Sequence, residues 1–128
     1  MNDFDITKIE NAVADAIRQQ GVSDHVWNNR PKAVADDIDD FVVVKVTGGI
    51  TDKATFGQCR ISIDLFARDI LEMKNSKRLS VMQNAVYSLP LWIDKYLMDG
   101  HPRIVGDTPD DFGFHARIIS LRLFIKAT

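Results

Sequence analysis

Alternation of apolar and polar side chains over residues 57–68, GQCRISIDLFAR, constrains the fold of this chain more than any other feature. Small or apolar residues occupy every second position, namely Cys59, Ile61, Ile63 and Leu65. The positions between them hold Arg60, Ser62, Asp64 and Phe66. Because successive side chains of a β-strand point to opposite faces, this spacing predicts a strand with one buried face and one face in solvent.

Two more strands are predicted by similar patterns. Residues 41–47 are dense in β-branched side chains, which favours a strand that pairs with residues 55–67 as an antiparallel hairpin. The tip of this hairpin, residues 48–55, is polar and contains a glycine pair. Residues 114–126 alternate again and predict a long final strand, and a short apolar start at 104–105 suggests another strand before it.

Two helices are predicted from apolar residues that recur at helical spacing. The first has Thr7 and Glu10 as a capping box and ends at Gly21, which provides a left-handed stop. The second lies within residues 75–89 and is ended by Pro90. The apolar stripe of each helix needs a surface to pack on, and the apolar faces of the strands provide one.

These elements predict a single domain of the α+β class, residues 1–128. We expect a mostly antiparallel sheet of about four strands with two main helices packed on one face, in the order α-β-β-α-β-β. The roles of the segments 25–40 and 90–113 are left open. In this arrangement no predicted element covers the other face of the sheet.

Composition excludes several classes of function. The net charge is −2, which gives no electrostatic basis for sequence-specific nucleic-acid binding. No apolar run approaches the roughly 20 residues that cross a bilayer, and the first ten residues are acidic, unlike a signal peptide. We therefore expect no membrane partner and a protein that stays in the cell where it is made.

No residue pattern indicates a catalytic, cofactor-binding or metal site. The three histidines are far apart in sequence, and no serine lies in a nucleophile motif. The acidic run at residues 36–40 matches no calcium-loop spacing and is interpreted as a solvated loop. Cys59 lies on the apolar side of its strand and is interpreted as a small buried side chain. The prediction is a protein that is not an enzyme and needs no cofactor.

The solvent-facing sides of the two long strands combine aromatic residues with arginines, which are enriched at protein–protein interfaces. Scattered surface apolar residues are also normal, so the alternative to an interface is an ordinary solvent-exposed face. The final strand also offers an edge for strand addition by a neighbouring copy. The residues predicted to form an oligomer interface are Phe56, Arg60, Asp64, Phe66, Arg122, Phe124 and Lys126.

Residues 23–126 resemble the phage tail terminator, or tail completion, proteins. The resemblance lies in the strand DDFVVVKV after an acidic loop, in GQCRISIDLFARD, in the helix RLSVMQNAVYSL and in the closing DDFGFHARIISLRLFI. It implies a non-catalytic subunit that assembles into a homo-oligomeric ring, typically a hexamer, between the tail tube and the head-connector proteins. It also implies a protein made in the bacterial cytoplasm that becomes part of the virion.

Two alternatives to this function stay open. One is a different head–tail connector or minor tail protein of the same kind. The other is a small cytosolic ligand-binding or enzymatic α+β domain that uses the sheet face and the loop at 25–40 as a pocket.

Overall fold

A computed structural model of the chain describes residues 5–47, 51–52, 56–110 and 112–126, with the backbone alone for 51, 52, 56 and 126. Most of the hairpin tip at 48–55 lies outside these residues. The helices are α1 (Ile6–Gln19) and α2 (Ser76–Tyr87). The strands are β1 (Val26–Trp27), β2 (Asp40–Val46), β3 (Thr51–Asp52), β4 (Phe56–Arg68), β5 (Trp92–Ile93), β6 (Tyr96–Met98), β7 (Arg103–Asp110) and β8 (Phe114–Lys126).

All the described strands belong to one sheet, in the order β1-β2-β4-β8-β6-β5, and this sheet curls into a half-barrel. β3 lies beside β4 and β7 lies beside β8. β2 and β4 form the antiparallel hairpin predicted from the sequence. The longest pairing joins β4 to β8, from Phe56 opposite Lys126 to Arg68 opposite Phe114.

The predicted fold class is wrong in strand number and order. The sheet has eight strands rather than about four, and it is mixed because β1 runs parallel to β2. The order α-β-β-α-β-β fails because the segments 25–40 and 90–113 contain four strands, of which the prediction placed only the one at 104–105, now part of β7. Three of these are two or three residues long, and β7 has mostly exposed side chains, so none of them shows a period of two.

Both helices pack on the same face of the sheet, as predicted, and enclose the main core. This core holds the apolar sides of β2, β4 and β8. The start of α1 differs from the predicted capping box because Asp5 is the N-cap and accepts hydrogen bonds from the backbone of Thr7 and Lys8. Glu10 instead accepts a 2.9 Å hydrogen bond from the backbone N–H of Val46, which ties α1 to β2.

Cys59 lies in this core, and its burial raises the pKa of the thiol to about 11. Since the thiolate is the reactive form, we expect iodoacetamide to leave Cys59 unmodified in the native protein at neutral pH. In guanidinium chloride the same thiol reacts fully, and mass spectrometry measures both states. Rapid alkylation without denaturant would contradict the burial of Cys59.

A second, aromatic core lies on the opposite face of the sheet. Phe41 is fully buried there and stacks on Phe66, with ring centroids 4.4 Å apart, while Phe114 meets it edge-on at 5.3 Å. Trp27, Val34 and Ile38 pack against this cluster from the segment before β2. The expectation that this face is bare and that Phe66 is exposed is therefore wrong, because the irregular segment folds over one half of it.

Arg30 holds the segment before β2 against the sheet. Its guanidinium lies 5.0 Å from the ring centroid of Phe41, 5.1 Å from that of Phe66 and 5.4 Å from that of Phe112. It also forms a 2.7 Å ion pair with Asp110 at the end of β7. Cation–π contacts and a partly buried ion pair of this kind hold a segment with little secondary structure in place.

Candidate interaction surface

The helix-free face of the sheet is divided into a covered half and an open half. The covered half is the aromatic core described above. The open half contains a pocket of about 200 Å³. We call it the arginine pocket, and its lining residues are Arg60, Asp99, Gly100, His101, Arg103, Ser120 and Arg122.

Strand register brings the three arginines of this pocket together. Arg60 of β4 lies directly opposite Arg122 of β8, and Arg103 of β7 lies opposite Ser120. Both neighbours of Arg60 and of Arg122 in sequence point into the main core, so these two arginines point away from the helices. The arginines come from three adjacent strands that are far apart in sequence.

The pocket has more positive charge than its own residues neutralise. Asp99 is its single carboxylate, and it lies 3.9 Å from Arg122 while accepting a 2.9 Å hydrogen bond from Gln58. The side chains of Arg60 and Arg103 make no ion pair or hydrogen bond with any residue that the structure describes. Like charges directly opposite each other on neighbouring strands are destabilising. A negatively charged group from outside the pocket would remove this repulsion.

Asp64 lies on the same face as the pocket but is engaged within the chain. It is buried, accepts a hydrogen bond from the hydroxyl of Ser62 and forms a 3.5 Å cross-strand ion pair with Lys45. The ion-pair partner of Asp64 is therefore Lys45 and not Arg60 of the pocket. These contacts satisfy a buried carboxylate, so its role is structural.

The predicted interface residues fall into three groups. Arg60 and Arg122 come together in the open half and are exposed. Asp64 and Phe66 are buried, and Phe124 is half-buried where its strand pairs with β6. Phe56 and Lys126 lie opposite each other at one end of the β4–β8 pairing. Their side chains lie outside the part of the chain that the structure describes.

β7 contributes to this surface, although the sequence did not predict that it would. The prediction that the final strand offers an edge for strand addition is wrong, because β4 flanks β8 on one side and β6 and β7 flank it on the other. β7 pairs with β8 alone among the described strands, so its other edge carries unpaired backbone groups. Ile104 and Val105 of this strand are 44% and 56% exposed beside Arg103.

One arrangement in the fold resembles part of a catalytic site. Nδ1 of His115 lies 2.6 Å from Oδ1 of Asp69, as in the histidine–carboxylate pair of a triad. In the residues that the structure describes, no hydroxyl or thiol is hydrogen-bonded to His115. Within the same ranges, no group of three histidine, cysteine or acidic side chains is placed to hold a metal ion. The pair ties the end of β4 to β8.

Comparison with known proteins adds no relative. Neither protein-family models nor curated protein sequences give a match. The resemblance to tail terminator proteins therefore stays a prediction from the sequence. Neither of the two described helices has the length and apolar character to cross a membrane.

Proposed function

We propose that this chain is a non-catalytic structural subunit of a phage tail, which assembles with copies of itself into a ring at the head–tail junction. The observation that carries the proposal is the open half of the helix-free face, where unpaired arginines lie beside a free edge strand. The family resemblance of residues 23–126 supplies the biological setting, including tail-tube and head-connector proteins as further partners.

The chemistry of the open half supports a protein partner. Arginine is enriched in the energetically important parts of interfaces because its planar guanidinium pairs with carboxylates and packs on apolar groups. The exposed Ile104 and Val105 lie directly next to Arg103. An edge strand with free backbone groups adds a second mode of association.

The size of the arginine pocket favours a second candidate function. A volume of about 200 Å³ suits a small oxyanion such as phosphate, which would make the chain a ligand-binding domain. Titration with inorganic phosphate, followed by calorimetry, distinguishes the two candidates when combined with the molecular mass. A monomer that binds phosphate supports the second candidate, and an oligomer without phosphate binding supports the first.

Native mass spectrometry and negative-stain electron microscopy test the proposed function. We expect masses that are multiples of 14.5 kDa and ring-shaped particles whose population rises with protein concentration. A mass of 14.5 kDa at every concentration up to the solubility limit would contradict self-assembly. Tail-tube and capsid genes beside the coding sequence would support the phage setting independently.

A further inference from the structure

We propose that the arginine pocket of one subunit receives the acidic turn of a neighbouring copy, formed by Asp36 and Asp37, so that subunits meet head to tail. This inference rests on the proposed function and assigns the two surfaces that form the contact. The partner is a second copy of this chain, and the group that the pocket binds is a carboxylate.

The negative charge of the acidic turn is only partly compensated within the chain, because Arg68 donates hydrogen bonds to the backbone carbonyls of Ala35 and Ile38 and not to the carboxylates of Asp36 and Asp37. Asp36 and Asp37 lie in a turn, are exposed, and make no ion pair or hydrogen bond with the residues that the structure describes. Asp39 is 82% exposed and lies 3.6 Å from Arg68, so it is weakly held. Asp40 does not belong to this surface because it forms a 2.9 Å ion pair with Arg78.

The two surfaces lie on the same side of the sheet but at different positions along β4. The acidic turn belongs to the segment that covers Phe66, whereas the pocket surrounds Arg60 on the same strand. These positions are separated by six residues of β4, or about 20 Å at the usual rise of a strand. A surface and its complement at different places on one molecule form a heterologous contact, which closes into a ring when the rotation permits.

The chemistry of the two surfaces is matched. Guanidinium and carboxylate groups form paired, charge-assisted hydrogen bonds that are stronger than those between neutral groups. Entry of a carboxylate between Arg60 and Arg122 also removes the repulsion between these opposed cations. The free subunit keeps that repulsion, and the contact therefore gains stability from its relief.

Charge reversal at each surface tests this contact. We expect Arg60→Glu/Arg122→Glu and Asp36→Lys/Asp37→Lys to raise the dissociation constant of the oligomer about 100-fold or more each, since like charges across an interface cost several kcal/mol. The two variants mixed in equal amounts should recover assembly, because each reversed pocket then meets a reversed turn. The double change Lys8→Glu/Lys77→Glu is the control, since both side chains are exposed on the helices.

The outcomes separate this inference from the proposed function. Analytical ultracentrifugation gives the dissociation constants, and circular dichroism verifies that each variant is folded. If charge reversal leaves the mass of a wild-type-like ring unchanged, this contact is refuted while ring assembly stands. Failure of the mixed variants to reassemble also refutes it. Wild-type protein that is monomeric throughout refutes the proposed function itself.

Titration with inorganic phosphate tests whether the arginine pocket binds a free anion instead of the carboxylates of a neighbouring copy. If phosphate binds the wild-type protein and not Arg60→Glu/Arg122→Glu, while Asp36→Lys/Asp37→Lys assembles normally, the pocket serves a free oxyanion and the inference is overturned. If phosphate instead dissociates the oligomer by competition, and the variants behave as expected above, the carboxylate contact is supported.

Discussion

Phe41→Ala is expected to lower the free energy of unfolding by about 3–5 kcal/mol, the usual cost of removing a buried phenylalanine side chain. Phe41 is fully buried and is the centre of the aromatic core, where it contacts the rings of Trp27, Phe66 and Phe114. Its truncation leaves a cavity and also removes the ring beneath Arg30. The segment before β2 would then lose both its apolar and its cationic attachment.

Urea denaturation followed by tryptophan fluorescence measures this loss, because Trp27 belongs to the same cluster. Phe112→Ala is the matched control, since Phe112 is 62% exposed and its truncation should cost about 1 kcal/mol or less. Equal effects of the two substitutions would mean that Phe41 is not enclosed. The division of the helix-free face into covered and open halves would then be incorrect.

Ile119→Ser is expected to destabilise the protein by about 4 kcal/mol, because it replaces a fully buried side chain with a small polar one. Ile119 lies in the middle of β8 and points into the main core under the helices. Ile118 is the adjacent residue on the opposite face, where it is half-buried against Gly106 of β7. Ile118→Ser should cost about 1 kcal/mol by the same reasoning.

Ile118→Ser and Ile119→Ser differ only in the face of the sheet that the side chain occupies, because the strand, the residue type and the substitution are the same. Thermal and urea unfolding of both variants give the two free energies. If Ile118→Ser is as damaging as Ile119→Ser, the open half would be as enclosed as the main core. A surface of that kind has no room for a partner.

The sequence predicted the elements that are long enough for their pattern of apolar residues to be recognised. β8 has the predicted bounds of 114–126, and the β2–β4 hairpin and both helices lie where their apolar periods place them. The helices and β8 each have one buried side and one more exposed side, which is the condition under which a period appears. β2 is buried on both faces over residues 41–44, and it was predicted from its β-branched residues instead. β5 and β6 were missed because they are short, and β7 was predicted only at 104–105 because most of its side chains are exposed.

The candidate site was predictable in part for the same reason. Arg60 and Arg122 could be assigned to the helix-free face because both lie in alternating strands, and their register places them opposite each other. Arg103 lies in a strand without alternation, so no sequence signal connected it with them. Phe66 was wrongly expected in solvent because the segment that covers it has no period, and burial by an irregular segment leaves no regular pattern.

The central claim is that the open half of the helix-free face is buried by other copies of the chain. Modification of the arginines by phenylglyoxal tests this burial when dilute and concentrated protein are compared. Mass spectrometry quantifies the modification at each arginine. We expect Arg60, Arg103 and Arg122 to react in dilute solution and to become protected on concentration, while the reactivity of the ion-paired Arg30 and Arg78 does not change. Reaction of these three arginines at the same rate in both samples would contradict it.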